Sequence, residues 1–529
     1  MFPLANKPGM HRRVTAVSTA KPKNFPAPRR GWIRNENLAK SKPEGASLLD
    51  NWFPTTTGAR VRRGKTKRAT IGSGTPVGAI MAYVNGVTKK LFAANDTAIY
   101  DITAPADPAV SPAASVSGLT SGEYAYTMFA NAGGNYLVVV NGHDARQLYD
   151  GTSWSTPAIT GPTAALSHVW TFKQRQFFVE LNTMNAWYLP VDAISGATTL
   201  LPLGGVFKLG GSLLFGATWS YGAGSGLSES CVFVTTEGEV AIYEGTDPST
   251  AATWALKGVY RIGRPLGRRA VFKGGGDLAI ATDIGLIPLS QAIAIDVAAI
   301  GGQAISAPIE AEWLTEVSQR RSQYFWSIEM WPTQQMAIVA MPTYGTLSPI
   351  CFVANVRTGA WARYTGWDTH CVGLYVDRLF FGSIDGKIYE AEVGGSDDGA
   401  IYTASYVALF DEFGSPGASK MACMARATFL STSATAAQLS ISADYVVSLP
   451  PVPSVGPVPT SPNNWDQGLW NQAMWGDVVT KQREALWQSV SGEGCALAPA
   501  IQISIGGTAE PQIDLVEFDL TYQEGAIGT

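Results

Sequence analysis

Asp247, Asp277, Asp283, Asp368, Asp377 and Asp385 are the residues of this chain best suited to chemistry. Two carboxylates held about 5 Å apart would serve a retaining glycosidase, one as acid and one as nucleophile. Asp247, Asp277 and Asp385, however, sit directly against Gly or Pro. There an Asx side chain bonds its own backbone and makes a turn. Asp397-Asp398-Gly399 offers oxygens to a cation, but a lone Asp-Asp-Gly is a weak signal. His11, His143, His168 and His370 have no ligand spacing and read as surface or core residues. Cys231, Cys351, Cys371, Cys423 and Cys495 are scattered without a Cys-x-x-Cys pair, which argues against a metal or disulfide scaffold. There is no Gly-x-Ser-x-Gly elbow and no P-loop. The expectation is a protein that is not an enzyme, with no cofactor and no metal.

Charge is the second feature. Residues 1–68 carry 16 Lys/Arg against 3 Asp/Glu, and the rest of the chain carries 22 against 39. A basic arm on an acidic body points to a partner for the arm, either nucleic acid or an acidic protein surface. The candidate interface residues are Arg29, Arg30, Trp32 and Arg34, then Trp52 and Phe53, then Arg60, Arg62, Arg63, Lys65, Lys67 and Arg68. Buried aromatic and Arg anchors are what carry interfaces. A basic run without interleaved aromatics is weak support for nucleic-acid readout. Pro3, Pro8, Pro22, Pro26, Pro28 and Pro43 disfavour helix or central strand before Ala46. Residues 1–70 are therefore expected to be a basic extended arm with a docking segment.

These residues need a scaffold, and the stretch from Cys231 to Leu289 shows its character. Cys231–Thr235 and Val240–Tyr243 are short apolar runs around Glu237-Gly238, and Asp277–Thr282 and Leu286–Leu289 flank Asp283-Ile284-Gly285. Such runs read as antiparallel strands joined by tight turns. Similar units recur about every 40–45 residues, the spacing of propeller blades. Gln291–Glu316 interrupts them with a helical insertion, because the decapeptide beginning at Ala311 has helix-forming composition. The fold class expected is all-β: a propeller of six or seven blades over residues 71–398, with a C-terminal antiparallel, sandwich-like β domain over 399–529.

In that last domain Ile401–Phe410, Ala425–Thr432, Gln438–Ala443 and Tyr445–Leu449 read as strands. Trp465, Trp470 and Trp475 are five residues apart, a period that suits neither a helix face nor a strand face. They read as an aromatic plug on a loop. Charged residues are only 15% of the chain, which suits a large core or large interfaces rather than disorder. No stretch approaches the roughly 20 apolar residues of a membrane helix, and the start of the chain lacks the apolar core of a signal peptide.

With these residues laid out, the chain resembles the tail-nozzle or tail-hub (packaged-DNA stabilisation) proteins of short-tailed bacteriophages. The matching phrases are Asn51-Trp52-Phe53-Pro54, Glu244-Gly245-Thr246-Asp247-Pro248 and Gly275-Gly276-Asp277-Leu278-Ala279. Phe380-Phe381-Gly382-Ser383-Ile384-Asp385-Gly386 and the Trp465/Trp470/Trp475 run also match. The resemblance implies a structural virion protein of the tail, assembled in the host cytoplasm. It would form a homohexameric ring that extends the DNA channel below the portal and its adaptor, a head-completion protein. Viral DNA would pass through the lumen, and tail fibre or needle proteins would be further partners. The alternatives are a carbohydrate-binding or depolymerising tail fibre and a non-viral propeller scaffold.

Overall fold

The computed structural model describes residues 20–35, 43–72, 74–220, 229–321, 325–432, 435–455 and 481–527. Antiparallel meanders dominate it, and they are ordered as a β-propeller. Six sheets of three or four strands stand free, with innermost strands Ala79–Asn85, Ala125–Asn131, Leu166–Phe172, Leu213–Trp219, Val271–Gly274 and Cys371–Tyr375. The sector between the last two is filled by the meander Ser327–Thr365, whose sheet runs on into the C-terminal domain. The alternative between six and seven blades thus resolves into six free sheets and one shared meander. Neighbouring sheets bury apolar faces against each other. Val232, Val234 and Phe215 of one sheet, for example, meet Ile280 and Ile287 of the next.

The ring is closed by a distant strand. Lys65–Thr70 pairs antiparallel with Lys387–Ala391 and forms the outer strand of the last sheet. This corrects the expectation that Lys65, Lys67 and Arg68 belong to a separate arm. No local sequence signal reports a partner more than 300 residues away. The sheet that begins at Val271 has three strands. Glu310–Arg320 stands near the place of a fourth, with Trp313 and Val317 buried in the main core.

Two sheets form the C-terminal sandwich. In one, Ala46–Asp50 pairs with Tyr402–Ala408, which pairs with Leu497–Ile505 and then Ala437–Ala443. In the other, Ile513–Ile527 lies beside Ala418–Ser431, which pairs with Gln482–Ser489. Phe429, Leu515, Phe518 and Leu520 of this sheet face Tyr406, Ile501 and Ile503 of the first. Tyr445–Leu449 is not a strand, because Asp444 and Tyr445 turn the chain at φ 50° and 64°.

The described part of the arm is built into this body. Lys21–Pro26 pairs with the last long strand, burying Phe25. Gly31 turns at φ 71° and lies so close to the Trp361 backbone that a Cβ would stand 2.4 Å from its carbonyl oxygen. Trp32 then drops into the core at 1% exposure and donates to the Ser47 carbonyl at 3.1 Å. Truncating so large a buried side chain costs about 3–5 kcal/mol. Trp32→Ala is expected to lower unfolding free energy by that amount in chemical denaturation; a loss below 1 kcal/mol would place Trp32 outside the core.

Candidate functional site

Arg62 is fully buried, and its guanidinium is satisfied on every donor. It grips Asp397 through both oxygens at 2.8 and 2.7 Å. The Asn51 side-chain oxygen and the carbonyls of Arg63 and Thr365 accept the remaining hydrogens. The Tyr402 and Trp367 rings cover the ion at 3.8 and 4.9 Å. Asn51 in turn donates to the Thr403 carbonyl at 2.7 Å and to the Thr365 hydroxyl at 2.8 Å. Burial works against the guanidinium charge, but the Asp397 bond and charge outweigh it and hold the Arg62 pKa above its ordinary value. Asp397 is therefore an ion-pair partner rather than a free cation ligand, as the Asp-Asp-Gly signal had suggested.

Most of the other predicted interface residues are also turned inward. Arg60 pairs with the buried Glu392 at 2.8 Å and lies over the Phe53 ring at 4.8 Å. Arg63 reaches Glu510, and Arg68 donates to the Thr103 carbonyl. Lys65 donates to the Gly366 carbonyl at 2.9 Å and lies over the Tyr389 ring; burial lowers its pKa. The Lys67 side chain is half-buried. Trp52 and Phe53 are buried with Trp32. Only Arg29, Arg30 and Arg34 of the set are exposed, and Arg29 and Arg34 pair with Glu44 and Glu312. Arg34, Arg60, Arg62 and Arg63 thus meet acids of the body of their own chain. Trp465, Trp470 and Trp475 lie outside the described residues.

The carboxylates single out no paired acid and base. Asp247 accepts from the Ser249 amide as a turn and meets Arg175 at 3.3 Å. Asp277 accepts from the Trp219 indole, the Ser290 hydroxyl and its following amide. Asp377 accepts from the Trp331 indole and the Thr333 hydroxyl. Asp385 holds Ser383 and Lys387, Asp283 the Arg264 amide, and Asp368 the Ile384 amide. Burial raises the Asp368 pKa.

Two features lie at the ends of the inner strands. Where the inner strands begin, Arg268 donates to Glu123 at 2.8 Å and Arg269 to the Gly78 carbonyl at 2.7 Å. Both arginines precede the Val271 strand, whereas Gly78 and Glu123 precede inner strands on the far side of the ring. The pair therefore spans the hub. Arg269 also acts on Glu329, Tyr126 and His370. Burial pushes Glu329 up to about 7 against the pull of Arg269, and burial with Arg269 pulls His370 down to about 4. Sequence reasoning missed Arg268 and Arg269; the only signal for them was the Arg-Arg pair directly after Gly267.

At the opposite end, Thr171, Lys173, Gln174, Thr218, Glu229 and Lys273 line an opening of about 520 Å³. Lys173 pairs with Glu229 at 2.9 Å. Lys173 and Gln174 both hold positive φ, at 46° and 59°, in a two-residue turn where Asn-Gly is the unstrained choice.

This site and strand order define the class: a β-propeller protein with a fused β-sandwich. No family model matches the chain, and no curated protein matches it. Among solved structures it is similar to the N-terminal part of BBS1 in "Crystal structure of BBS1N in complex with ARL6DN, soaked with lead". That likeness has 9% identity and a TM-score of 0.38, covering 65% of this chain and 97% of that one. It is also similar to the WD40 β-propeller domain of Doa1, with 9% identity and a TM-score of 0.35, covering 62% of this chain and 97% of that one. Both likenesses are too weak to carry an argument, and the propeller rests on the pairing of its own strands.

Removing one partner of a buried ion pair costs about 3–5 kcal/mol, because the other charge is left uncompensated. Asp397→Asn is expected to lose that much in denaturant unfolding, whereas Asp385→Asn at the exposed turn should lose under about 1 kcal/mol. Glu329 binds its proton more tightly folded than unfolded, so its contribution is full below about pH 4.5 and is lost as pH rises to about 7. Glu329→Gln is expected to flatten the fall in stability across that window by about 3 kcal/mol. Parallel pH–stability curves for the two proteins would refute this.

Proposed function

We propose that this chain is a structural subunit of a phage tail nozzle, six copies of which build a ring below the portal and adaptor. The observation that carries this reading is how the chemically able side chains are used. The carboxylates that sequence spacing offered to catalysis bind indoles, hydroxyls, amides and a lysine. The likeness of the Asn51–Pro54, Gly275–Ala279 and Phe380–Gly386 phrases to nozzle proteins supports the same reading.

DNA in such a ring would run along the ring axis, between subunits. The propeller's own hub is spanned by Arg268 and Arg269. Beyond residue 68 the body carries 22 Lys/Arg against 39 Asp/Glu, and that surplus repels phosphates and favours sliding over sticking. Within residues 20–35 Phe25 and Trp32 are taken up inside the chain, so this part of the arm would meet the adaptor through the exposed Arg29, Arg30 and Arg34.

Native mass determination tests the reading, with the purified chain alone and mixed with a portal–adaptor complex. Six copies on the complex are the expected result. A stable trimer that cleaves polysaccharide, or failure to bind the complex at all, would overturn it.

A further inference from the structure

Two edge strands of the sandwich's second sheet have opposite chemistry. One is Lys21–Pro26, where Pro22 and Pro26 lack N–H donors and Lys21 and Lys23 add charge. Proline and lysine are the devices that keep an edge from pairing with another chain. The other edge is Gln482–Ser489, which among the described residues pairs only with Ala418–Ser431 and has neither residue. On it Leu486 is 78% exposed and Trp487 43%.

The two faces of this strand are differently committed. Glu484 accepts from the Thr435 amide at 2.8 Å, and Gln488 donates to the Ala437 carbonyl at 3.0 Å. These bonds tie the strand to the opposite sheet. Leu486 stands between them over a groove lined by Ala427, Phe429 and Leu439. On the other face Trp487 lies under Arg426 at 4.8 Å. An eight-residue edge with unpaired backbone groups and large apolar side chains on both faces is a template for another strand.

We propose that a second copy of this chain covers that edge, its Gln482–Ser489 strand pairing antiparallel about a two-fold axis at Leu486. In that register Leu486 meets Leu486 across the axis and each covers the other's groove. Ala485 of one copy meets Trp487 of the other, Glu484 meets Gln488, and Arg483 meets Ser489. Every charged residue opposes a neutral one, and the indole opposes a methyl. Centring the axis on Ala485 instead would set Leu486 against Glu484. The contact is isologous, as a two-fold dimer requires. It goes beyond the nozzle reading and does not rest on it. A ring of six closes by head-to-tail contacts, so the two readings fail separately.

Sedimentation of the full chain over a range of concentrations tests the proposal, with Leu486→Asp as the variant. Leu486 is exposed, so the variant is expected to keep its melting temperature when dilute while association weakens about tenfold or more. Amide exchange in 482–489 is expected to slow with concentration in the original chain and not in the variant. A chain that stays monomeric at every concentration, or a dimer that Leu486→Asp leaves unchanged, would overturn the proposal.

Discussion

The buried pair of Arg62 and Asp397 is the constraint on which the other parts of the molecule depend. It brings together the docking segment, the end of the last propeller strand and the Thr365 end of the shared meander. Tyr402, the first residue of the sandwich strand, covers the ion and donates to the Arg62 carbonyl. Two charges removed from water are costly unless every lone pair and proton finds a partner. That demand is met only when these segments are in place together. Asn51, held at φ 62°, shows the same logic in the backbone: its side chain bonds Arg62, Thr365 and Thr403 at once. A second pair repeats it, with Arg363 holding Asp50 through two bonds and Glu312 through a third. Propeller and sandwich are joined by satisfied ion pairs as well as by the shared sheet.

Much of the propeller was legible because its signals are local. Asn85-Gly86, Glu237-Gly238 and Asp283-Ile284-Gly285 all lie between paired strands. The helical insertion was legible for the same reason, since the helix-forming composition that begins at Ala311 is itself local and falls in Glu310–Arg320. What escaped was pairing over long separations. Lys65–Thr70 alternates no more clearly than the arm around it, and only Lys387–Ala391 makes it a blade strand. Ala46–Asp50 likewise finds its strand partner, Tyr402–Ala408, only far along the chain.

The site was less legible than the fold, for an electrostatic reason. A run of cations in sequence says nothing about where its acids lie. Arg60, Arg62 and Arg63 suggested an outward-facing strip, yet Glu392, Asp397 and Glu510 wait more than 300 residues away. Part of the split between a basic start and an acidic remainder is thus met inside the chain, through Arg60, Arg62 and Arg63. The same holds for Lys21 and Lys23, which meet Glu524 and Asp411. Aromatic residues misled in a related way: Trp32 and Trp52 have the composition of interface anchors, and both anchor their own chain.

The strand that closes the ring also sets an order of events during synthesis. Lys65–Thr70 leaves the ribosome early, but Lys387–Ala391 follows more than 300 residues later. At roughly 5–20 residues per second, that interval is on the order of 15–60 seconds. Throughout it Arg62 has no Asp397 and the Lys65–Thr70 strand has no sheet. The lysines and arginine along this stretch keep it hydrated while it waits, and charge on an unpaired strand discourages pairing with other nascent chains. The basic character of the segment thus has a second use in time, guarding the chain before its partner exists.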